Sequence, residues 1–197
     1  MIDVPPVNRP SAFKVAVALV HYPVCNKNRE TIGSAVTNLD LHDLARAGRT
    51  FGVDTLYIVT PYRDQQQLVQ EILDHWLTGH GAEYNVDRKE ALSLVRICDD
   101  LEGLYDAAAA RWGGRPTVLA TGARLEGERV RPYETVRNEI FAGRPYLILL
   151  GTGWGLAPEV MQTVDGFLPP VCGYMEYNHL SVRSAASIVL DRLLGKR

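Results

Sequence analysis

The chain has 197 residues, 46% of them hydrophobic and 22% charged, with a formal net charge of −2. That length and apolar content fit one compact α/β domain and leave little room for two. The balance of charge excludes a global electrostatic pull toward nucleic acid, so contact with a polyanion needs a local basic patch, for instance one built across a dimer. Cys25, Cys98 and Cys172 lie far apart, without a CxxC pair or Cys/His zinc spacing. They read as reduced thiols of a cytosolic protein with no metal site. The longest apolar runs are of strand length, and no basic region followed by an apolar stretch opens the chain. A cytoplasmic protein with no membrane attachment is expected.

Residues 1–12 contain Pro5, Pro6 and Pro10 and read as a flexible N-terminal arm before a domain at 13–197. Short apolar runs without alternation then predict buried strands at 15–20, 55–59, 92–97, 117–120 and 146–150. Helix-period segments separate them. Leu41, Leu44, Ala45 and Gly48 follow the i, i+3, i+4, i+7 pattern, with Asn38 or Asp40 placed to cap the start. Leu68, Ile72 and Trp76 mark a second helix from about Asp64, and Leu101, Leu104, Tyr105 and Ala108 a third after Asp99 and Asp100. A fourth covers roughly 134–141. Strands alternating with helices imply a parallel sheet covered on both faces. The last quarter departs from alternation: a glycine-rich turn, a short helix near 158–164, a stiff loop at 166–174 containing Pro169 and Pro170, and an amphipathic helix over about 180–194.

Leu149-Leu150-Gly151-Thr152-Gly153-Trp154-Gly155-Leu156 sets three glycines at alternate positions directly after a buried strand. Ligands of open α/β sheets bind at the carboxyl ends of parallel strands, where glycine lets a ligand lie against the backbone. A tight turn needed only for chain geometry explains the glycines about as well. The rival is a dinucleotide fingerprint, for which Glu176 lies at a suitable distance. Against it, only 42 residues follow Gly155, and Pro169-Pro170 interrupt the run to Glu176. No glycine is followed by Lys-Ser or Lys-Thr, so a Walker A loop is absent.

Taken with Tyr177-Asn178-His179-Leu180-Ser181-Val182-Arg183-Ser184-Ala185, this turn resembles that of the SPOUT superfamily of RNA methyltransferases. The similarity is greatest to a small bacterial family related to a domain sometimes joined to a tRNA guanine methyltransferase. Upstream, Asn38-Leu39-Asp40-Leu41-His42-Asp43-Leu44-Ala45-Arg46, running on to Phe51-Gly52-Val53, is similar to the first motif of that superfamily. The resemblance implies a single-domain α/β parallel sheet flanked by helices, a C-terminal deep trefoil knot, a homodimer, S-adenosylmethionine as cofactor, and tRNA or rRNA as substrate. Alternatives are a SPOUT-like dimer that binds cofactor or RNA without catalysis, and methylation of a substrate other than RNA.

By this resemblance Leu150, Gly151, Thr152, Gly153, Gly155 and Leu156, with Leu168, Pro169, Pro170, Asn178, His179, Leu180 and Ser181, surround the cofactor. Thr121 and Gly122 close its methionine side. Arg46 falls on the family arginine that orients the acceptor or assists its deprotonation; on helix spacing alone it reads as a surface arginine paired with Asp43 or Asp40. Asp40 or Asp43 is a candidate general base, Asp40 also reading as a first-turn acid facing the helix dipole. His179 is a candidate base or acceptor ligand near neutral pH. Some SPOUT branches carry asparagine there, so their 2′-oxygen chemistry does not transfer directly. Ser181 reads equally as a helix cap or a cofactor ligand. Asn26, Lys27, Asn28 and Arg29, in a polar and basic loop after the first strand, are candidates for substrate binding, against the commoner reading of a solvated loop. Arg124, Arg129, Arg131, Arg137 and Arg144 form a basic stretch, but Glu126, Glu128, Glu134 and Glu139 among them favour ordinary surface pairing. Trp76 and Trp112 sit where helices pack, while Trp154 has no such assignment.

Overall fold

The computed structural model describes residues 13–125, 127 and 129–197. The expected N-terminal arm, and the roles given to Glu126 and Glu128, lie outside the described residues. The chain runs β1 (Val15–Val20), β2 (Val24–Cys25), β3 (Thr31–Ile32), α1 (Asn38–Phe51), β4 (Thr55–Val59), α2 (Arg63–Leu77), α3 (His80–Tyr84) and α4 (Val86–Leu92). There follow β5 (Val95–Cys98), α5 (Leu101–Trp112), β6 (Thr117–Ala120), α6 (Tyr133–Phe141), β7 (Tyr146–Gly151), α7 (Pro158–Thr163), β8 (Gly166–Phe167) and α8 (Val182–Leu194). Six strands form one parallel sheet in the order β5-β4-β1-β7-β6-β8. From β1 the chain first moves outward to β4 and β5, then crosses to β6 and returns to insert β7 beside β1. The strand order therefore reverses between β1 and β7, where loops diverge and open a crevice at the carboxyl edge.

All six residues of β1 are buried because helices cover both faces, which is why the run is continuously apolar rather than alternating. Val15, Val17 and Leu19 face one core with Leu41 and Leu44 of α1, Val69 and Leu73 of α2, Val136 of α6 and Val189 of α8. Ala16, Ala18 and Val20 face the other, with Leu104 of α5 and Val160 of α7. The period-2 alternation of the strand thus partitions one apolar sequence between two cores.

Several expectations need correction. The first helix is capped by neither Asn38 nor Asp40. Thr37 is the cap, its hydroxyl accepting from Asp40 N (3.1 Å) while donating to Asp40 Oδ2 (2.7 Å), a reciprocal arrangement that satisfies an end donor and fixes the acid. The predicted strand at 92–97 is Val95–Cys98, because Leu92 ends α4, a helix whose Asn85 cap went unread. The stiff loop at 166–174 begins as strand β8, two residues paired with β6. Among the described residues no helix is long and apolar enough to cross a membrane.

Candidate active site

The residues expected to hold the cofactor come together at the carboxyl ends of three neighbouring strands, β7, β6 and β8. After β6, the N–H and hydroxyl of Thr121 both donate to Leu149 O, at 3.0 and 3.1 Å, stitching this loop to β7. Leu168 N donates to Ala120 O (3.0 Å), Asn178 Nδ2 to Ala123 O (2.8 Å), and Tyr133 Oη to Pro169 O (2.9 Å). Thr121, Gly122, Leu168, Pro169, Pro170 and Asn178 thereby belong to one loop cluster. Leu150, Leu156 and Leu168 are buried beneath it, Leu150 and Leu168 in one core and Leu156 in the other.

The glycines of the turn serve different ends. At Gly151 a Cβ would lie 2.5 Å from Leu156 N and 2.8 Å from Gly155 C, so the turn itself demands glycine there. Gly153 has φ 59° and stands over Cys25 O, whereas Gly155 has φ 105° and open space where a side chain would be. The turn is clamped to β2 by Trp154 N to Cys25 O (3.0 Å) and Cys25 N to Gly155 O (2.8 Å). Buried leucines beneath an open glycine backbone suit the flat face of a nucleoside, and on that observation the residues present fit an adenosyl group.

A buried polar chain, missed in the sequence, ties this turn to the end of β1 and to the segment that precedes α1. His21 directly follows β1 and is fully buried, its Nδ1 3.0 Å from Ser34 Oγ. Ser34 Oγ lies 2.5 Å from Thr152 Oγ1, which donates to Val20 O (3.0 Å). Thr152 is therefore engaged within the protein. Burial pushes the His21 imidazole down to about 4, against a smaller opposing pull from Asp40, so the ring is neutral at physiological pH. A polar residue directly after a buried parallel strand was the signal that could have found it.

Asp40 is also buried, with its carboxylate shared between Thr37 and Arg183 Nη1 (2.8 Å), and Arg183 Nε reaches Asp43 Oδ2 at 3.3 Å. Arg183, within the quoted C-terminal motif but given no role there, clamps the first turns of α1 and α8. Arg46 pairs with neither acid: it is exposed, and among the described residues it has no ion-pair partner. With Asp43, Ser181, Arg183 and Ser184 it lines an open groove between α1 and α8. Ser181 caps α8, accepting from Ser184 N (3.3 Å), and also faces this groove. His179 and Leu180 are exposed, the His179 ring standing against Tyr177 at 5.4 Å. In the β2–β3 turn, Asn26 Oδ1 accepts from the N–H groups of Asn28 and Glu30, leaving Lys27, Asn28 and Arg29 with exposed side chains.

With this geometry in view, the fold is that of the SpoU-type methyltransferases. The SpoU methyltransferase AviRb from Streptomyces viridochromogenes, also solved with the cofactor AdoMet, superposes with a TM-score of 0.54 at 14% identity, over 94% of this chain and 60% of that one. Residues 14–195 match the family model described as SAM-dependent RNA methyltransferase, and the chain belongs to that family. It is 46% identical over 178 residues to a tRNA (guanine-N(1)-)-methyltransferase of Oleidesulfovibrio alaskensis, a match covering 90% of this chain but 41% of that protein. The chain thus spans less than half of that curated relative. An uncharacterized protein of Aquifex aeolicus is 38% identical over 92% of this chain and 89% of its own length.

Proposed function

We propose that residues 13–197 act as one cytoplasmic methyltransferase unit that moves a methyl group from S-adenosylmethionine to a nucleotide of tRNA. The observation that carries this reading is the gathering of the β6, β7 and β8 loops around an open glycine backbone, with α1 and α8 delivering charged groups to the adjoining groove. The sulfonium cofactor supplies an electrophilic methyl group when bound. The protein's task is then to hold the acceptor in line, about 3 Å from that carbon, and to manage the acceptor's proton. Leu150, Leu156 and Leu168 exclude water from the adenosyl side. Arg46, with no ion-pair partner among the described residues, orients the acceptor, while Asp43 on the same groove accepts the proton lost on methylation. Asp40, already engaged by Thr37 and Arg183, acts as a positioning residue instead.

The C-terminal segment is read as knotted. What supports this is the surrounding of β8: it pairs with β6 on one side, while Phe167 bonds Arg129 O and Arg131 N on the other, at 2.9 and 2.8 Å. Residues 129–131 belong to the connection that leaves β6, so β8 lies between that strand and its own outgoing connection, as a threaded segment would. A homodimer is favoured by the α1–α8 face, where Arg46 has no ion-pair partner among the described residues and Leu39 and Leu180 are exposed, 61 and 47%. Nucleoside mass spectrometry of tRNA from cells with and without the gene tests the reading: one methylated nucleoside should disappear in the deletion and return on complementation. An unchanged tRNA nucleoside profile would overturn tRNA as the substrate.

A further inference from the structure

The carboxyl edge has a second half that the cofactor loops leave unused. Strands β4, β1 and β7 are neighbours, and each is followed by an exposed aromatic: Tyr62, Tyr22 and Trp154, at 44, 38 and 67%. Leaving an indole two-thirds in water forgoes the burial that normally accounts for tryptophan. Looseness of the turn is not the cause. Trp154 is held by its bond to Cys25 O and stands between two glycines in left-handed conformation. Tyr22 and Tyr62 meet edge to face with centroids 6.1 Å apart. The Tyr62 ring occupies the space that a side chain at Gly33 would need.

Cations lie on the adjoining loops. Lys27 and Arg29 are exposed on the turn that leaves Cys25, the residue bonded to Trp154, and among the described residues neither forms an ion pair. Arg63, next to Tyr62, donates to Gln66 Oε1 at 3.0 Å and lies 3.7 Å from the exposed Asp99. Nearby acids are engaged: Glu30 accepts from Asn26 Nδ2 and Glu159 from the Thr31 hydroxyl. Their charge still offsets part of the positive field, so recognition here depends on stacking more than on phosphate attraction.

We propose that Trp154, Tyr22 and Tyr62, flanked by Lys27 and Arg29, form a stacking platform for unpaired nucleotides of the RNA substrate, a proposal that rests on the RNA methyltransferase reading. Every base offers a π face, so such a platform tolerates sequence, but bases inside a duplex cannot reach it. The glycine turn is common to both halves of the edge. A strand laid over β4 and β1 would bring its next nucleotide to the turn that borders the cofactor pocket.

The test is fluorescence anisotropy of a labelled 12-nucleotide RNA, single-stranded or annealed to its complement, titrated with the full chain in saturating S-adenosylhomocysteine. The single strand should bind more tightly than the duplex, and Trp154→Ala should weaken the single strand about tenfold. Trp154→Phe should restore most of the loss, and Tyr22→Ala should show a smaller one. Calorimetry should find the same S-adenosylhomocysteine affinity in all four proteins. Equal binding of the two RNAs, or unaltered affinity in Trp154→Ala while the wild type methylates RNA, would overturn the platform alone. Loss of cofactor affinity in Trp154→Ala would place the ring in the cofactor pocket and overturn it equally. A wild type that binds cofactor but neither RNA would overturn the parent reading as well.

Discussion

Arg46 leaves a guanidinium in solvent on a helix that carries Asp43 three residues before it, and yet Asp43, like Asp40, pairs with Arg183 from the other end of the chain. A purely structural arginine would take the local partner, since such pairs stabilise a helix by a few tenths of a kcal/mol. Replacing Arg46 with Ala should reduce methyl incorporation into RNA by a factor of about 100 or more while leaving cofactor affinity within a few fold. Radiolabel transfer and calorimetry on the same preparation check this, and full retained activity would remove Arg46 from the mechanism. His21 gives a prediction of a different kind. Its imidazole is held near 4 when folded and titrates near 6.5 when unfolded, so between these values the unfolded state binds the extra proton. Its contribution is complete above pH 6.5 and is lost as the pH falls through 4, roughly 3 kcal/mol in all. His42, lowered mainly by burial and also by Arg88, acts in the same direction. Urea midpoints measured from pH 7 to pH 4 should fall, and His21→Gln should flatten most of that slope; an equal slope in the variant would contradict the assignment.

The glycine turn is an element on which both the fold and the proposed function rest. Gly151 meets its own chain, so Gly151→Ala should destabilise the protein by about 1–3 kcal/mol, because the colliding atoms are backbone and cannot rotate away. The same variant should lose S-adenosylhomocysteine affinity, since opening the turn moves Gly155. Denaturation and calorimetry together decide it, and wild-type values in both would show that the turn adapts. The central strands were legible in sequence because strands buried on both faces must be largely apolar, as β1, β7 and, after Thr55, β4 are. Elements β2, β3 and β8 were not, being two residues long and defined only by their pairing partners. Thr37 escaped notice for a related reason: a cap is recognised by the third residue after it, and here that residue is Asp rather than the usual Glu or Gln.

At the level of the molecule, the site is assembled from segments that lie far apart in the chain. Asp40 and Arg183 are 143 residues apart, and Ser34 and Thr152 are 118 apart. No local pattern announces such pairs, which is why motif resemblance singled out the loops after β6, β7 and β8 as candidates but gave no sign of the His21 chain or the Arg183 clamp. The sheet gives these contacts their logic: loops after β6, β7 and β8 enclose one part of the carboxyl edge, and α1 and α8 bring Arg46 and Asp43 to the groove beside it. The central claim is that this assembly transfers a methyl group to RNA. Its most direct test incubates the purified chain with S-adenosylmethionine labelled in the methyl group and total RNA from a strain lacking the gene. Label that is acid-precipitable, ribonuclease-sensitive and absent with the Arg46→Ala chain is the predicted result; a protein that binds the cofactor tightly and leaves that RNA unlabelled would contradict it.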